Sequence, residues 1–118
     1  MLLIKGGWVK PIVGDDIENG QVLIDGGKIV AVGRDLDVPA GTEVYDASGC
    51  LVTPGFVEAH CHIGISEEGI RWEGNDTNEY SNPVTPELRA IDGINPRCEA
   101  FQLAVGGGVT TAVTGPGS

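Results

Sequence analysis

The stretch Thr53-Pro54-Gly55-Phe56-Val57-Glu58-Ala59-His60-Cys61-His62-Ile63-Gly64 holds both histidines of the 118-residue chain. They stand one residue apart at the end of an apolar run that Pro54 and Gly55 set off from what precedes. Residues 56–63 read as a largely buried strand. Its alternation puts Phe56, Glu58, His60 and His62 on one face and Val57, Ala59, Cys61 and Ile63 on the other. Two imidazoles are thereby expected side by side at the strand's C-terminal end.

Upstream, the chain is strand-like throughout. Residues 2–9 (LLIKGGWV) make a short strand. Residues 22–24 and 28–32 are β-rich runs joined through Asp25, Gly26 and Gly27, a hairpin whose turn needs positive φ. Pro39, Gly41, Ser48, Gly49, Pro54 and Gly55 bracket two more short strands, around residues 44–46 and 50–53. No helix is expected among these four or five strands. The spread of 19 glycines, about twice average usage, fits many short elements separated by turns.

Downstream, residues 66–86 carry Glu67, Glu68, Glu73, Asp76 and Glu79 with no apolar period. A connection of that length is usually functional or disordered, and a solvated surface is the simplest role for its acids. Pro86 to Ile91 suggests a short helix stopped near Gly93. Asn95-Pro96 suggests an N-cap followed by proline at the first helical position, opening a second helix from Arg97 to about Val105. That helix would turn Phe101, Ala104 and Val105 inward and end at Gly106-Gly107-Gly108. The β-branched run VTTAVT then forms a strand, and GPGS a turn. Strand, long loop, helix, strand is a βαβ unit, which requires a parallel sheet.

Bulk properties narrow the function. The formal net charge of −10, from 17 acidic against 7 basic residues, argues against partners recognised through phosphate, so neither nucleic acid nor an anionic membrane is expected. The apolar start is too short for a signal-peptide core or a bilayer span, which makes the cytoplasm the expected compartment. Three cysteines, Cys50, Cys61 and Cys98, have no paired spacing and read as reduced, small buried hydrophobes. Trp8 is expected in the core, while Trp72 in the acidic loop is a candidate to cover a substrate.

The histidine pair suits a divalent metal, because i and i+2 on a strand point the same way. Catalytic zinc takes three or more protein ligands and an open position, so His60 and His62 make half a site. Glu58, one step back on the same face, is placed to orient an imidazole through its other nitrogen. Against this stands the bland reading, in which a bare H-x-H arises by chance and the rings are exposed or satisfied by backbone. A structural zinc site from Cys50, His60, Cys61, His62 and Cys98 matches no standard ligand spacing. The glycine runs at 106–108 and 115–117 lack a phosphate-loop fingerprint and read as helix stop and turn.

The run DASGCLVTPGFVEAHCHIG, preceded by VLIDGGKIVAVG, resembles the amidohydrolase superfamily of metal-dependent hydrolases, closest to its imidazolonepropionase-like members. GGGVTTAVTGPGS resembles that family's second barrel strand. The resemblance covers nearly the whole chain and is weakest over residues 66–86. It implies a mixed β and α/β fold: residues 1–54 as the N-terminal part of a small β-sandwich, and residues 55–118 as the first βαβ unit of a truncated (β/α)8 TIM-type barrel. By that match His60 and His62 bind zinc or another divalent ion, and Glu58 stands where the family usually has aspartate. The remaining metal ligands and the proton shuttle have no counterpart here. A full barrel takes on the order of 250 residues, so the chain is expected to be the N-terminal piece of a longer enzyme.

The implied reaction is hydrolysis of a C–N bond in a small molecule, a cyclic amide or amino-acid derivative, by metal-activated water, in an enzyme expected to be a homo-oligomer. The competing expectation is a non-catalytic binding or interaction module, complete at 118 residues, that oligomerises or pairs with a partner chain to cover its strand edges.

Overall fold

A computed structural model describes residues 1–117, which form two compact units, Met1–Pro54 and the stretch from Gly55 onward. The expected element order is present, with strands dominating and few helices.

The first unit is one sheet. Strands β1 (Leu2–Val9), β2 (Ile17–Asp25), β3 (Lys28–Gly33) and β4 (Glu43–Asp46) lie in the order β3-β2-β1-β4, and β5 (Leu51–Val52) also pairs with β1. β1 runs antiparallel to β2 and parallel to β4 and β5. Asp25 pairs with Lys28 across a two-residue turn whose glycines, Gly26 and Gly27, have φ of 54° and 76°. Those are the left-handed values that a tight hairpin demands. Leu3, Val9, Val22, Leu23 and Ala47 are buried and form this unit's core. Among the described residues the first unit is a single sheet.

β1 changes partner along one edge, and its glycines make this possible. It pairs with β4 as far as Lys5↔Asp46 and with β5 from Trp8↔Leu51, and its register against β2 shifts on both sides of Gly7. Into the gap comes Ala47, 1 % exposed, its N–H donating to the Lys5 carbonyl at 2.8 Å. A Cβ on Gly7 would sit 2.7 Å from a Val52 methyl and 3.2 Å from Ala47 Cβ. Any larger residue there would push β5 and the Ala47 turn outward.

Two expectations for this unit need correction. Trp8 is 47 % exposed rather than core, because its indole N–H donates to Asp16 and Lys10 lies over its ring, 5.3 Å from the centroid. A tryptophan with a polar handle sits well at a wet edge. Cys50 is exposed, at the turn into β5; only Cys98 of the three cysteines is buried.

In the second unit β6 (Phe56–Cys61) and β7 (Val109–Thr114) form a parallel pair. The chain between them holds a 3-10 turn (Arg71–Gly74), a one-turn helix α1 (Ala90–Gly93) and α2 (Glu99–Gly106), which packs against β7. α2 starts two residues later than the sequence suggests. Asn95 does not cap it; its carboxamide oxygen accepts the Arg97 N–H one turn earlier, and Cys98 holds the N-cap position. Ala100 is buried and Phe101 and Ala104 half-buried, whereas Val105 faces solvent. The strand expected to be largely buried is not: Phe56 and Val57 are 58 % and 67 % exposed, since two strands and one short helix leave most of the sheet uncovered. Among the described residues this single parallel pair is the extent of any barrel-like architecture.

Where β6 begins, Gly55 lies against β7, and a Cβ there would fall 2.1 Å from Thr110 Oγ1. Gly55→Ala is expected to destabilise the second unit by about 1–3 kcal/mol, the usual cost of overpacking; a urea midpoint unchanged from wild type would refute this. A second expectation concerns acid. The Ser48 hydroxyl, helped by the Ser48 N–H, holds the Asp46 carboxyl below its ordinary value of 3.8. A lowered folded-state pKa gives stability that is present above the unfolded value and lost as pH falls through the folded one. Ser48→Ala should therefore lower stability at pH 7 and flatten its decline below about pH 4. Denaturation midpoints measured across that range would show an unaltered slope if Ser48 were irrelevant.

Candidate metal centre

β6 carries Glu58 and His60, and ends at Cys61, so His62 stands on the first residue beyond it. There the chain turns sharply: the His62 carbonyl accepts the N–H groups of Ile65 and Ser66 at 3.1 and 2.8 Å. Gly64 adopts φ 84° within this turn, and a Cβ on it would meet Ile94 and the Phe101 ring at 3.0 Å. Glycine is needed at that point for both conformation and space. Its carbonyl accepts the Asn95 N–H at 2.8 Å, tying the turn to the approach to α2.

The two imidazoles sit together as the i, i+2 spacing implies, with ring centroids 5.3 Å apart and planes at 82°. His60 is exposed and His62 half-buried. His62 Nδ1 lies 2.7 Å from the Gly115 carbonyl oxygen. A carbonyl only accepts, so Nδ1 carries the proton, and the lone pair of the neutral ring is at Nε2. Glu58 behaves differently from the expectation of a carboxylate on a ring nitrogen. Its Oε1 accepts the main-chain N–H of His60 at 2.9 Å, which stiffens the strand under that histidine.

The pair fits a divalent ion in chemistry and in spacing. Neutral imidazoles suit zinc and its neighbours. Two rings sharing a tetrahedral ion at about 2.0–2.1 Å per nitrogen hold their centroids about 5 Å apart, close to the 5.3 Å found. Among the described residues no group of three or more His, Cys, Asp or Glu side chains is placed to hold a metal. Cys61 points to the other strand, its Sγ 3.5 Å from the Val113 carbonyl, and Cys50 and Cys98 lie elsewhere.

The long loop over residues 66–86 is ordered by specific contacts rather than by an apolar core. Glu67 accepts from the Asn95 carboxamide, the Asp76 N–H donates to the Ile65 carbonyl, and the Gly117 N–H donates to the Thr77 carbonyl. Glu67 is therefore not simply a solvated acid. The Ser81 hydroxyl and N–H keep the Glu79 carboxyl below its usual range. Together with Ile65, Arg89, Asp92 and Pro116 the loop borders an open cavity of about 460 Å³. Arg89 is committed to Asp92 there, in a two-pronged ion pair that raises its pKa. Trp72 is 78 % exposed beside Tyr80, at the rim of a separate cavity.

Gly115 could not be anticipated from residue types. Its role is played by a backbone carbonyl, and GPG reads only as a turn; Ser118, the last residue of that motif, lies outside the described residues.

No family model matches the chain. It is 38% identical over 102 residues to the amidohydrolase tasK of Hapsidospora irregularis, an alignment covering 84% of this chain and 10% of that protein. The structure of an amidohydrolase from Thermotoga maritima matches all of the chain with a TM-score of 0.90 and 41% identity, over 30% of its own length. Atrazine chlorohydrolase from Arthrobacter aurescens, solved with zinc, matches 56% of the chain at a TM-score of 0.51 and 35% identity, over 15% of its own length. The chain thus spans between a tenth and a third of these proteins. No helix among the described residues is long and apolar enough to cross a membrane. Over the N-terminal region that it spans, the chain belongs to the amidohydrolase superfamily.

Proposed function

We propose that the chain works as the N-terminal portion of a metal-dependent amidohydrolase that hydrolyses a C–N bond of a small cyclic amide or amino-acid derivative in the cytoplasm. In this reading residues 1–54 contribute to a small β-sandwich, residues 55–118 open a (β/α)8 barrel, and His60 and His62 hold zinc or a similar divalent ion. The observation that carries it is the paired imidazoles at the C-terminal end of a parallel strand, one of them donating Nδ1–H to the Gly115 carbonyl and keeping its lone pair at Nε2. Barrels of this kind keep their chemistry at that end of their strands. The small share of each relative's length that the chain spans supports its working as one part of a larger enzyme.

The division of labour follows from the contacts. Gly115 holds the His62 ring in one tautomer, Glu58 fixes the backbone under His60, and the i, i+2 spacing brings both rings together at the strand end. When bound, a divalent ion supplies Lewis-acid polarisation of a carbonyl and a water of lowered pKa. Asp76 and Glu79 of the loop line the cavity together with Ile65 and Pro116, a position from which a polar substrate is approached.

The exposed Phe56, Val57 and Val113 are also what a non-catalytic module would use to pair with a partner chain. Metal binding separates the readings. Titration of the full chain with zinc should give saturable binding that His60→Ala and His62→Ala each weaken at least tenfold, and in the intact enzyme either substitution should abolish turnover. Wild-type affinity in both variants would sink the hydrolase assignment.

A further inference from the structure

Two consecutive residues at the end of β7 reach three consecutive residues around the second histidine. The Gly115 N–H donates to the Cys61 carbonyl at 3.1 Å, the Gly115 carbonyl accepts His62 Nδ1–H at 2.7 Å, and the Thr114 hydroxyl donates to the Ile63 carbonyl at 2.8 Å. Only the first of these continues the parallel ladder, which ends with Cys61↔Thr114. The other two act where the ladder has run out, on His62 itself and on Ile63, which also forms an isolated bridge with Ser66.

We propose that Thr114 is a positioning residue for His62. By holding the Ile63 carbonyl, its hydroxyl fixes the Ile63–Gly64 peptide, one unit beyond the one that follows the histidine, and so steadies the turn behind His62; the ring then keeps Nδ1 on Gly115 and Nε2 free for a ligand. The Thr114 hydroxyl bonds to a backbone carbonyl rather than to an imidazole, so it acts through the backbone. The part-buried site suits a hydroxyl that must find its acceptor within the protein. His60 provides an internal control, since it lies on the regular strand before Cys61 and Thr114 makes no bond to it. The inference rests on the metal-site reading for its purpose, but the tautomer it assigns to His62 is a property of the metal-free chain.

The test uses the full chain with 15N-labelled histidine, whose two imidazoles are separated by the His60→Ala spectrum. At about pH 8.5, where free imidazole is neutral, wild-type His62 should show a single tautomer protonated at Nδ1. Thr114→Val should give a mixture at His62 while His60 is unchanged, and Thr114→Ser should restore the single form. Zinc affinity should fall about 10–100-fold in Thr114→Val, the usual effect of losing an outer partner of a ligand, and recover in Thr114→Ser. A wild-type His62 protonated at Nε2 overturns the proposal without any variant having to fold, and so does a Thr114→Val protein with the wild-type tautomer and zinc affinity. If the tautomer shifts as described but zinc binds neither protein, positioning by Thr114 stands and the metal reading fails. If zinc binds both proteins equally, the positioning role fails and the metal reading stands.

Discussion

Everything in the second unit depends on closing one parallel pair across a long stretch of chain. Phe56 must lie beside Val109, and the Phe56 N–H finds its acceptor on Gly108, the residue immediately before β7. A parallel pairing cannot be made by a tight turn, so the intervening residues have to run back to the strand's starting end. Once they do, the C-terminal ends of β6 and β7 lie side by side, and the residue after each strand meets the other: His62 from the first and Gly115 from the second. The geometry of the histidine pair is therefore a consequence of strand register as much as of the H-x-H spacing. The glycine at position 55 serves that register by letting the start of β6 lie close against Thr110, and Gly108, with φ of 87°, makes the turn into β7.

The two units differ in how far each satisfies itself. The first has buried residues on its central strands and a hairpin whose turn chemistry matches its geometry. The second has a well-bonded strand end and turn, yet Phe56, Val57, Val113 and Leu103 remain in water. Apolar β-rich strands exposed along a parallel pair are the kind of surface that proteins normally cover, since parallel sheets are packed on both faces wherever they occur. Among the described residues no buried side-chain nitrogen or oxygen lacks a hydrogen-bond partner, whereas apolar burial is incomplete. The bonding of the site is thus set locally, within β6, β7 and the turns that follow them.

How much of this was legible in the sequence divides along the same line. Strand positions, the Asp25-Gly26-Gly27 turn, the change of character after Pro54 and the histidine pair all came from local patterns, where residue type and backbone geometry are tightly coupled. Burial was harder, because it depends on what lies against a residue: Val57, Val105 and Trp8 have core-like chemistry and exposed positions. The cap of α2 was misread for a related reason. Asn95 does accept a main-chain N–H two residues on, the bond that defines an Asx turn, but that bond fits a turn before the helix as well as its first residue. Gly115 was out of reach, since a backbone carbonyl leaves no mark on residue type. Glu58 shows the converse, a side chain whose chemistry was evident and whose partner was not.

The change of partner along β1 has a bearing on the order in which the chain assembles. The pairings β1–β2 and β2–β3 join neighbours in sequence through short turns. The pairings Leu2↔Glu43, Trp8↔Leu51 and Phe56↔Val109 instead close loops of some forty to fifty residues. Loop-closure entropy has to be overcome before such contacts repay it, so native-like structure accumulates first where contacts are local. On that basis the three-stranded meander is the early-forming template, and Gly6-Gly7 keep its free edge open to receive two later segments in turn. The parallel pair bearing the histidines belongs to the slow phase, and its edges stay available to other chains for longest while it forms.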